Sequence, residues 1–491
     1  MVIKAPEDSI RFNAGTSYSG FLKFICPTLV LLILLVLQPF IAQAEEPVVI
    51  NVTSFGAKPN SGQDATPAVM GALDMIAGLF GKPAILRFPK GRYDFWATNA
   101  PRVHYAITAV HQQWDFIAGI HLNGLKHVTV DGCGSELLFH SRMTPIVVNQ
   151  CEDVEIRNLN IDHIRPTVSE FTIMRVDETF MDVNIHPDSW YVIENGKFRW
   201  VGADSDRYEP HLFQPYDPLR DVTWRESQSL GSSAEGIGQR VVRFHYAGKP
   251  KAVTGQIWQM RGDGIRNQEG AVVNSSKNVR WQDVNLYFCT GLGIVSQLSE
   301  DLTFLRVNIE PKKGSGRTCA SFADGIHCCN CYGKVLIENC RIVGTQDDPI
   351  NIYGDDLVIK SREKPNQLLL SYSTWEQCGY VMFFPGDEVR LLRKQTLLPF
   401  ATLRVVSAEL VDKMTQRVVL DGDIPDDCIG QVAENRSRMP EVLIRGCYFS
   451  RIPTRGVLVS SWHKSVIEKN MFFRTHMAAI LVCHGDSPYF Q

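Results

Sequence analysis

The chain has 491 residues, of which 44% are apolar and 21% charged, enough for several domains or for one elongated repeat architecture carrying insertions. Its formal charge of −3 carries no basic excess, so nucleic acid is excluded as an expected partner.

Near the start, Lys23 precedes an unbroken apolar run from Leu29 to Leu37, and the small-residue pattern Ala42-Gln43-Ala44 follows. This reads as a secretory signal cleaved after Ala44, with an uncleaved signal anchor as the alternative for residues 1–44. Either way the remainder is expected to be exported, with any membrane contact made only through that anchor. Removing this segment takes Cys26 and leaves twelve of thirteen cysteines. Several of these share one column of a repeat, which argues against a disulfide framework. Cys328, Cys329, Cys331 and Cys340 lack the paired spacing of zinc ligands and read as buried packing. Sequons at Asn51, Asn274 and Asn435 matter only in a host that glycosylates.

After the leader, Thr66 is placed to cap a helix with Pro67 at its first position. Val69, Ala72, Leu73, Ile76 and Phe80 then line one apolar face. Beyond it almost nothing is helical. A frame of the form apolar-x-apolar-x-x-apolar-x-apolar recurs instead. It begins at Val128, Val130 and Cys133 and is filled by Val154, Ile156, Leu159 and Ile161. It returns at Val279, Trp281, Val284 and Leu286, at Leu302, Phe304, Val307 and Ile309, and at Val335, Ile337, Cys340 and Ile342. The last copies are Val442, Ile444, Cys447 and Phe449, then Ile467, Asn470 and Phe472. The steps Val279 to Leu302 and Ile444 to Ile467 are both 23 residues. A repeat of this length made of short strands predicts an all-β fold, a right-handed parallel β-helix. A β-sandwich would not hold one register over so many copies.

Two stretches break the register and read as inserted small β-barrel domains, residues 168–258 and 355–440. The expected organisation is therefore an N-terminal coil part with its capping helix at 45–167, the first insertion, a central coil at 259–354 carrying the site, the second insertion, and C-terminal coils at 441–491. "RGDG" at Arg261 to Gly264 reads as a turn.

Within the central coil, "GTQDDPINIYG" sets Asp347 beside Asp348, and Asp324 lies 23 residues before Asp347. Successive circuits are separated by roughly 4.8 Å, so Asp324 is expected directly beside the pair. Crowded carboxylates push at least one pKa upward, giving a proton donor next to ionised partners. A proton donor with carboxylate bases is the minimum equipment for hydrolysing a glycosidic bond. Adjacent strand residues point to opposite faces, so Asp347 and Asp348 share a site only if the strand bends, which Pro349 favours. A calcium site, three acidic oxygens suiting a hard cation, and a plain turn are the competing readings.

At these residues "SGRTCASFADGIHCCNCYGKVLIENCRIVGTQDDPINIYG" resembles the core of glycoside hydrolase family 110, the exo-acting α-galactosidases that remove terminal α-1,3-linked galactose, blood group B determinants included. "GLGIVSQLSEDLTFLRVNIEP" and "IPTRGVLVSSWHKSVIEKNMFFRTHMAAILV" match on either side, and "FGAKPNSGQDATPAV" with "LRFPKGRYDF" resembles the entry to pectate-lyase-like β-helices. The resemblance implies an inverting, metal-independent hydrolase with no cofactor, acting on oligosaccharides or glycoconjugates with terminal α-galactose. It makes Asp347 the general acid and gives the attacking water to Asp324 and Asp348. Gln297, Arg317, His327 and Asn351, in or beside the matched motifs, become candidate sugar-binding residues, since amides, guanidinium and imidazole bind hydroxyls. The sequence departs from the family at Tyr353, where the family usually has His, and residues 441–491 read as coils cut short. A polygalacturonase-like glycosidase and an inactive carbohydrate-binding β-helix are the alternatives.

Overall fold

Side chains alternate along a strand, so apolar residues at every second position, broken by a two-residue gap, call for two short strands meeting at a bend. The computed structural model describes residues 45–110, 115–226, 228–262 and 266–483, with the backbone alone at 211 and 212. In the strand Lys277–Leu286, the side chains of Val279, Trp281, Val284 and Leu286 are buried, and Asp283, within the gap, turns the corner at φ +55°. The register places Asn158, Arg306, Asn339, Gly446 and Lys469 at the same corner, and all have positive φ. Asn, Asp and Gly tolerate this left-handed conformation best, which is why several corners carry them.

The circuits stack as a parallel β-helix. One long sheet runs through Val48–Asn51, Ala84–Arg87, Lys126–Phe139, Glu152–His163, Lys277–Leu286, Glu300–Ile309, Tyr332–Glu338, Glu441–Arg445 and Ser465–Glu468, each parallel to the next. A second runs from Asp115–Asn123 through Thr144–Asn149, Ala271–Asn274, Ile294–Gln297, Ile326–Cys329 and Ile350–Tyr353 to Val457–Val459 and Ile480–Val482. Val279 pairs with Leu302 and Ile444 with Ile467, the 23-residue steps of the sequence. Between the sheets, equivalent side chains stack in columns such as Trp281, Phe304, Ile337 and Ile444, all fully buried. Each such side chain stabilises the coil by about 1.5–3 kcal/mol. The column Cys340, Cys447 and Asn470 is also present: the Cys340 amide donates to Cys447 Sγ at 3.5 Å, and the Cys447 amide to Asn470 Oδ1 at 2.9 Å. The twelve described cysteines are all free thiols.

Three local expectations are corrected. The helix Thr66–Ala77 buries Val69, Ala72, Leu73 and Ile76, but its start is held by Asp64, whose Oδ1 accepts from the Thr66 amide and hydroxyl at 3.0 and 2.6 Å. Phe80 lies beyond the helix end and is 95% exposed. Cys133 is exposed at φ +50°, because the register slips between Asp131 and Ser135 and hands its column to Ser135. Among the described residues no helix is long and apolar enough to cross a membrane, and the leader assigned to residues 1–44 lies outside them.

The chain leaves the coil twice. Strands from Val168–Val176 to Ile257–Arg261 form an open seven-stranded antiparallel sheet with a three-stranded companion, around Phe171, Trp200, Phe244 and Trp258. Strands from Asp356–Lys364 to Val432–Asn435 close into a barrel. Both insertions lend side chains to one cleft on the coil.

Candidate active site

The register of the second sheet aligns the residues that enter its strands. Ala271, Ile294, Ile326, Ile350 and Val457 are successive partners. The residues just before them, Gly270, Gly293, Gly325, Pro349 and Gly456, form a row where circuits touch backbone to backbone. A Cβ on Gly293 would lie 2.1 Å from the Gly325 carbonyl oxygen, and one on Gly325 would lie 2.6 Å from that of Pro349. One position earlier the row reads Glu269, Leu292, Asp324, Asp348 and Arg455. The close approach of the glycine row is what brings these side chains together. Gly325→Ala is therefore expected to cost about 1–3 kcal/mol in denaturant unfolding, and to lower kcat more than it raises KM by pushing the two aspartates apart.

This alignment corrects the expected pairing. Ser321 bridges Thr345 and Ile326 pairs with Ile350, so the local circuit is 24 residues and Asp324 stacks on Asp348 rather than on Asp347. Asp347 takes the outward position on a bend that begins at Gly344, φ +75°, and is tied by the Thr345 hydroxyl donating to the Asp347 carbonyl at 2.7 Å. All three aspartates nonetheless line one cleft of about 400 Å³. His327 and Asn351 line it as well, together with Tyr353.

The carboxylates are held differently. Asp348 is buried and gripped by Arg455: Oδ1 accepts from the Arg455 amide and Nε at 3.1 Å each, and Oδ2 from Nε and Nη2 at 3.1 and 2.6 Å. Burial and the neighbouring carboxylates of Asp347 and Asp324 push its pKa up to about 7 against that arginine. Asp347 keeps 22% of its side chain exposed, accepting from the Asp348 amide at 3.1 Å and from Arg225 Nη2 at 2.6 Å. Burial raises its pKa, but the Arg225 and Arg261 guanidiniums outweigh it and hold the carboxyl below the usual range. Asp324 Oδ2 accepts from His327 Nδ1 at 2.8 Å and from Asn351 Nδ2 at 3.3 Å.

The cleft's other walls come from the insertions. Arg225 and Arg261 reach in from the first, and Arg261 also donates to Gln346 Oε1 at 2.8 Å and to its carbonyl at 3.0 Å. Arg261, read from sequence as part of a turn, instead closes the strand Ile257–Arg261 and lines the cleft. Arg266 enters where the chain returns to the coil, and pairs with Glu376 of the barrel domain at 3.6 Å. None of these arginines was legible as a site residue. Arg455 had a signal: it precedes Gly456 as Asp324 precedes Gly325 and Glu269 precedes Gly270.

Two candidate sugar ligands lie elsewhere. Gln297 is buried, accepting from the Thr108 amide at 2.7 Å and donating to the Ala106 carbonyl at 2.9 Å, so it fastens a loop and does not line the cleft. Arg317 is paired bidentately with Asp162 at 2.9 and 2.7 Å, the two side chains 4% and 6% exposed. A guanidinium so far from water has its donors committed to that carboxylate.

Glu269, at the foot of the same column, is fully buried, and burial pushes its pKa up to about 7 despite Arg266. A carboxyl that binds its proton more tightly when folded favours the fold below its unfolded pKa, near 4.5, and loses that advantage as the pH rises through 7. Glu269→Gln is expected to remove this dependence. Between pH 5 and 8 its stability should improve relative to the parent by on the order of 1–3 kcal/mol, read from denaturant midpoints at the two pH values.

Similarity to known proteins agrees with this architecture. Residues 367–429, within the closed barrel, match the GLAA-B beta-barrel domain II. The chain is 33% identical to Alpha-1,3-galactosidase A of Bacteroides thetaiotaomicron over 443 residues, covering 88% of this chain and 78% of the relative. It is 34% identical to Alpha-1,3-galactosidase A of Bacteroides fragilis strain YCH46, covering 90% and 74%. Against Alpha-1,3-galactosidase B of Bacteroides thetaiotaomicron the identity is 28%, covering 90% and 73%. With such similarity running through coil, insertions and cleft, the chain belongs to glycoside hydrolase family 110, the family of the α-1,3-galactosidases.

Proposed function

We propose that this chain removes terminal α-1,3-linked galactose from oligosaccharides or glycoconjugates, acting as an exo-glycosidase that inverts the anomeric centre. The observation that carries the reading is the convergence of three aspartates from two successive circuits in one cleft. Its volume of about 400 Å³ is at the small end of ligand sites, fitting one sugar ring and its linkage. Export, with the leader as its address, is part of the same reading.

In this scheme Asp347 protonates the departing oxygen. Asp348 has every acceptor direction engaged by Arg455, so it acts as a fixed anion despite its raised proton affinity. Asp347 is restrained on its outer oxygen only by Arg225, whose side chain is 48% exposed. A bound galactoside that excludes water and displaces Arg225 lets Asp347 take up the proton it must deliver. Asp324 and Asp348 hold the water on the other side of the ring. A pectic-acid substrate would need uncommitted cations. Arg225, Arg455 and Arg266 are instead spent on Asp347, Asp348 and Glu376, and Arg261 on Gln346.

The test is incubation with galactose-α-1,3-galactose followed by NMR of the first product. Appearance of β-galactose supports the proposal. Initial α-galactose, or no galactose at all alongside turnover of polygalacturonate, would overturn it.

A further inference from the structure

A carboxylate that must hold a water molecule needs one oxygen fixed and the other free to bind. Among the described residues, both side-chain donors to Asp324 converge on Oδ2, leaving Oδ1 for the cleft. The stronger of the two is His327, itself almost buried, at 2.8 Å. Its opposite nitrogen, Nε2, lies 3.1 Å from the Tyr353 phenol, and that phenol lies 3.1 Å from Thr108 Oγ1. Thr108 is set in turn by the Gln297 side chain, which accepts from its amide.

Proton bookkeeping gives this chain one direction. An ionised Asp324 can only accept, so His327 must carry a hydrogen on Nδ1. A neutral imidazole then has Nε2 as an acceptor, and the Tyr353 hydroxyl is the donor that reaches it. Burial raises the phenol's pKa far above its usual value, so Tyr353 stays protonated and keeps donating. Thr108 completes the sequence by donating to the phenol oxygen. A flipped or reversed ring would set two acceptors, or two donors, against each other in a buried site.

We propose that His327 is the positioning residue for Asp324 as the water-binding base, and that Tyr353, anchored through Thr108 and Gln297, fixes His327 in the one tautomer able to do this. The inference rests on the reading of Asp324 given above. It also gives Gln297 a role: it acts on the reaction through the loop it fastens, not by touching sugar.

Other charged groups face this chain: Asp348, Arg455 and Glu269 on the coil, Asp355 behind the imidazole, and Arg266 and Glu376 across the cleft. All are left intact by the substitutions that test the idea. In His327→Leu the donor to Asp324 is lost, so its carboxylate is less stable and protonates at higher pH. The acid limb of kcat/KM should move up by about one unit, and kcat at the optimum should fall about 100-fold with KM within a few-fold. His327→Asn places an amide hydrogen where Nδ1–H stood and should recover activity to within about tenfold of the parent. Tyr353→Phe should shift the limb in the same direction by a smaller amount.

Galactose release from galactose-α-1,3-galactose between pH 4 and 9 reads all three variants, with Asp324→Asn alongside and circular dichroism to check folding. Should His327→Leu not fold, the asparagine and phenylalanine variants decide. An unmoved acid limb in the folded His327 and Tyr353 variants, with Asp324→Asn inactive, sinks this inference alone. Full activity in Asp324→Asn sinks the assignment of the base on which it rests.

Discussion

Asp347→Asn is expected to lower galactose release from a natural disaccharide by about 10²–10⁴-fold while leaving the fold intact. The amide still accepts from the Asp348 backbone but has no proton to give. Its lost ion pair with Arg225 is half in water and is worth at most about 1 kcal/mol. The discriminating measurement is leaving-group dependence. A dinitrophenyl galactoside departs without being protonated, so the variant should recover most of its rate on that substrate and remain crippled on the disaccharide. An equal loss on both would remove Asp347 from the role of acid. The same pair of substrates applied to Asp348→Asn should show equal losses if Asp348 holds water.

Arg317→Met should be the most destabilising of the single substitutions considered, by about 3–5 kcal/mol, because it strands the Asp162 carboxylate in the protein interior. Denaturant unfolding with and without the companion change Asp162→Asn makes the case. The double variant should regain much of the loss, since no uncompensated charge then remains. At a temperature well below melting, KM for the disaccharide should be unchanged. A collapse of kcat/KM with unaltered stability would return Arg317 to the sugar site, where its place in the family motif had suggested it.

These two arginine and aspartate cases mark how far the sequence could be read. The coil was legible because its apolar spacing is imposed by stacking itself: Val279, Trp281, Val284 and Leu286 cannot leave register without exposing a whole column. The two-residue gap was visible too, but its meaning as a left-handed corner at Asp283 emerges only with the backbone. Proximity of Asp324 to the aspartate pair could be inferred from the repeat length. Which of the two it meets could not, because one circuit is a residue longer than its neighbours. Sequence distance hid the rest: Arg225 acts across 122 positions and Asp162 finds Arg317 across 155. Nothing near "SGRTCA" says whether its arginine faces a cleft or a buried acid. Nor does anything near "VSQLSE" say that Gln297 turns toward the loop at Thr108.

The odd circuit has a consequence for how such a cleft is altered. A spiral with a fixed pitch behaves as a vernier, and one surplus residue before Pro349 advances the scale by a single mark, which is enough to hand the contact with Asp324 from one acid to its neighbour. Chemistry on this scaffold is therefore tunable by insertion or deletion at a corner, without exchanging a single functional group.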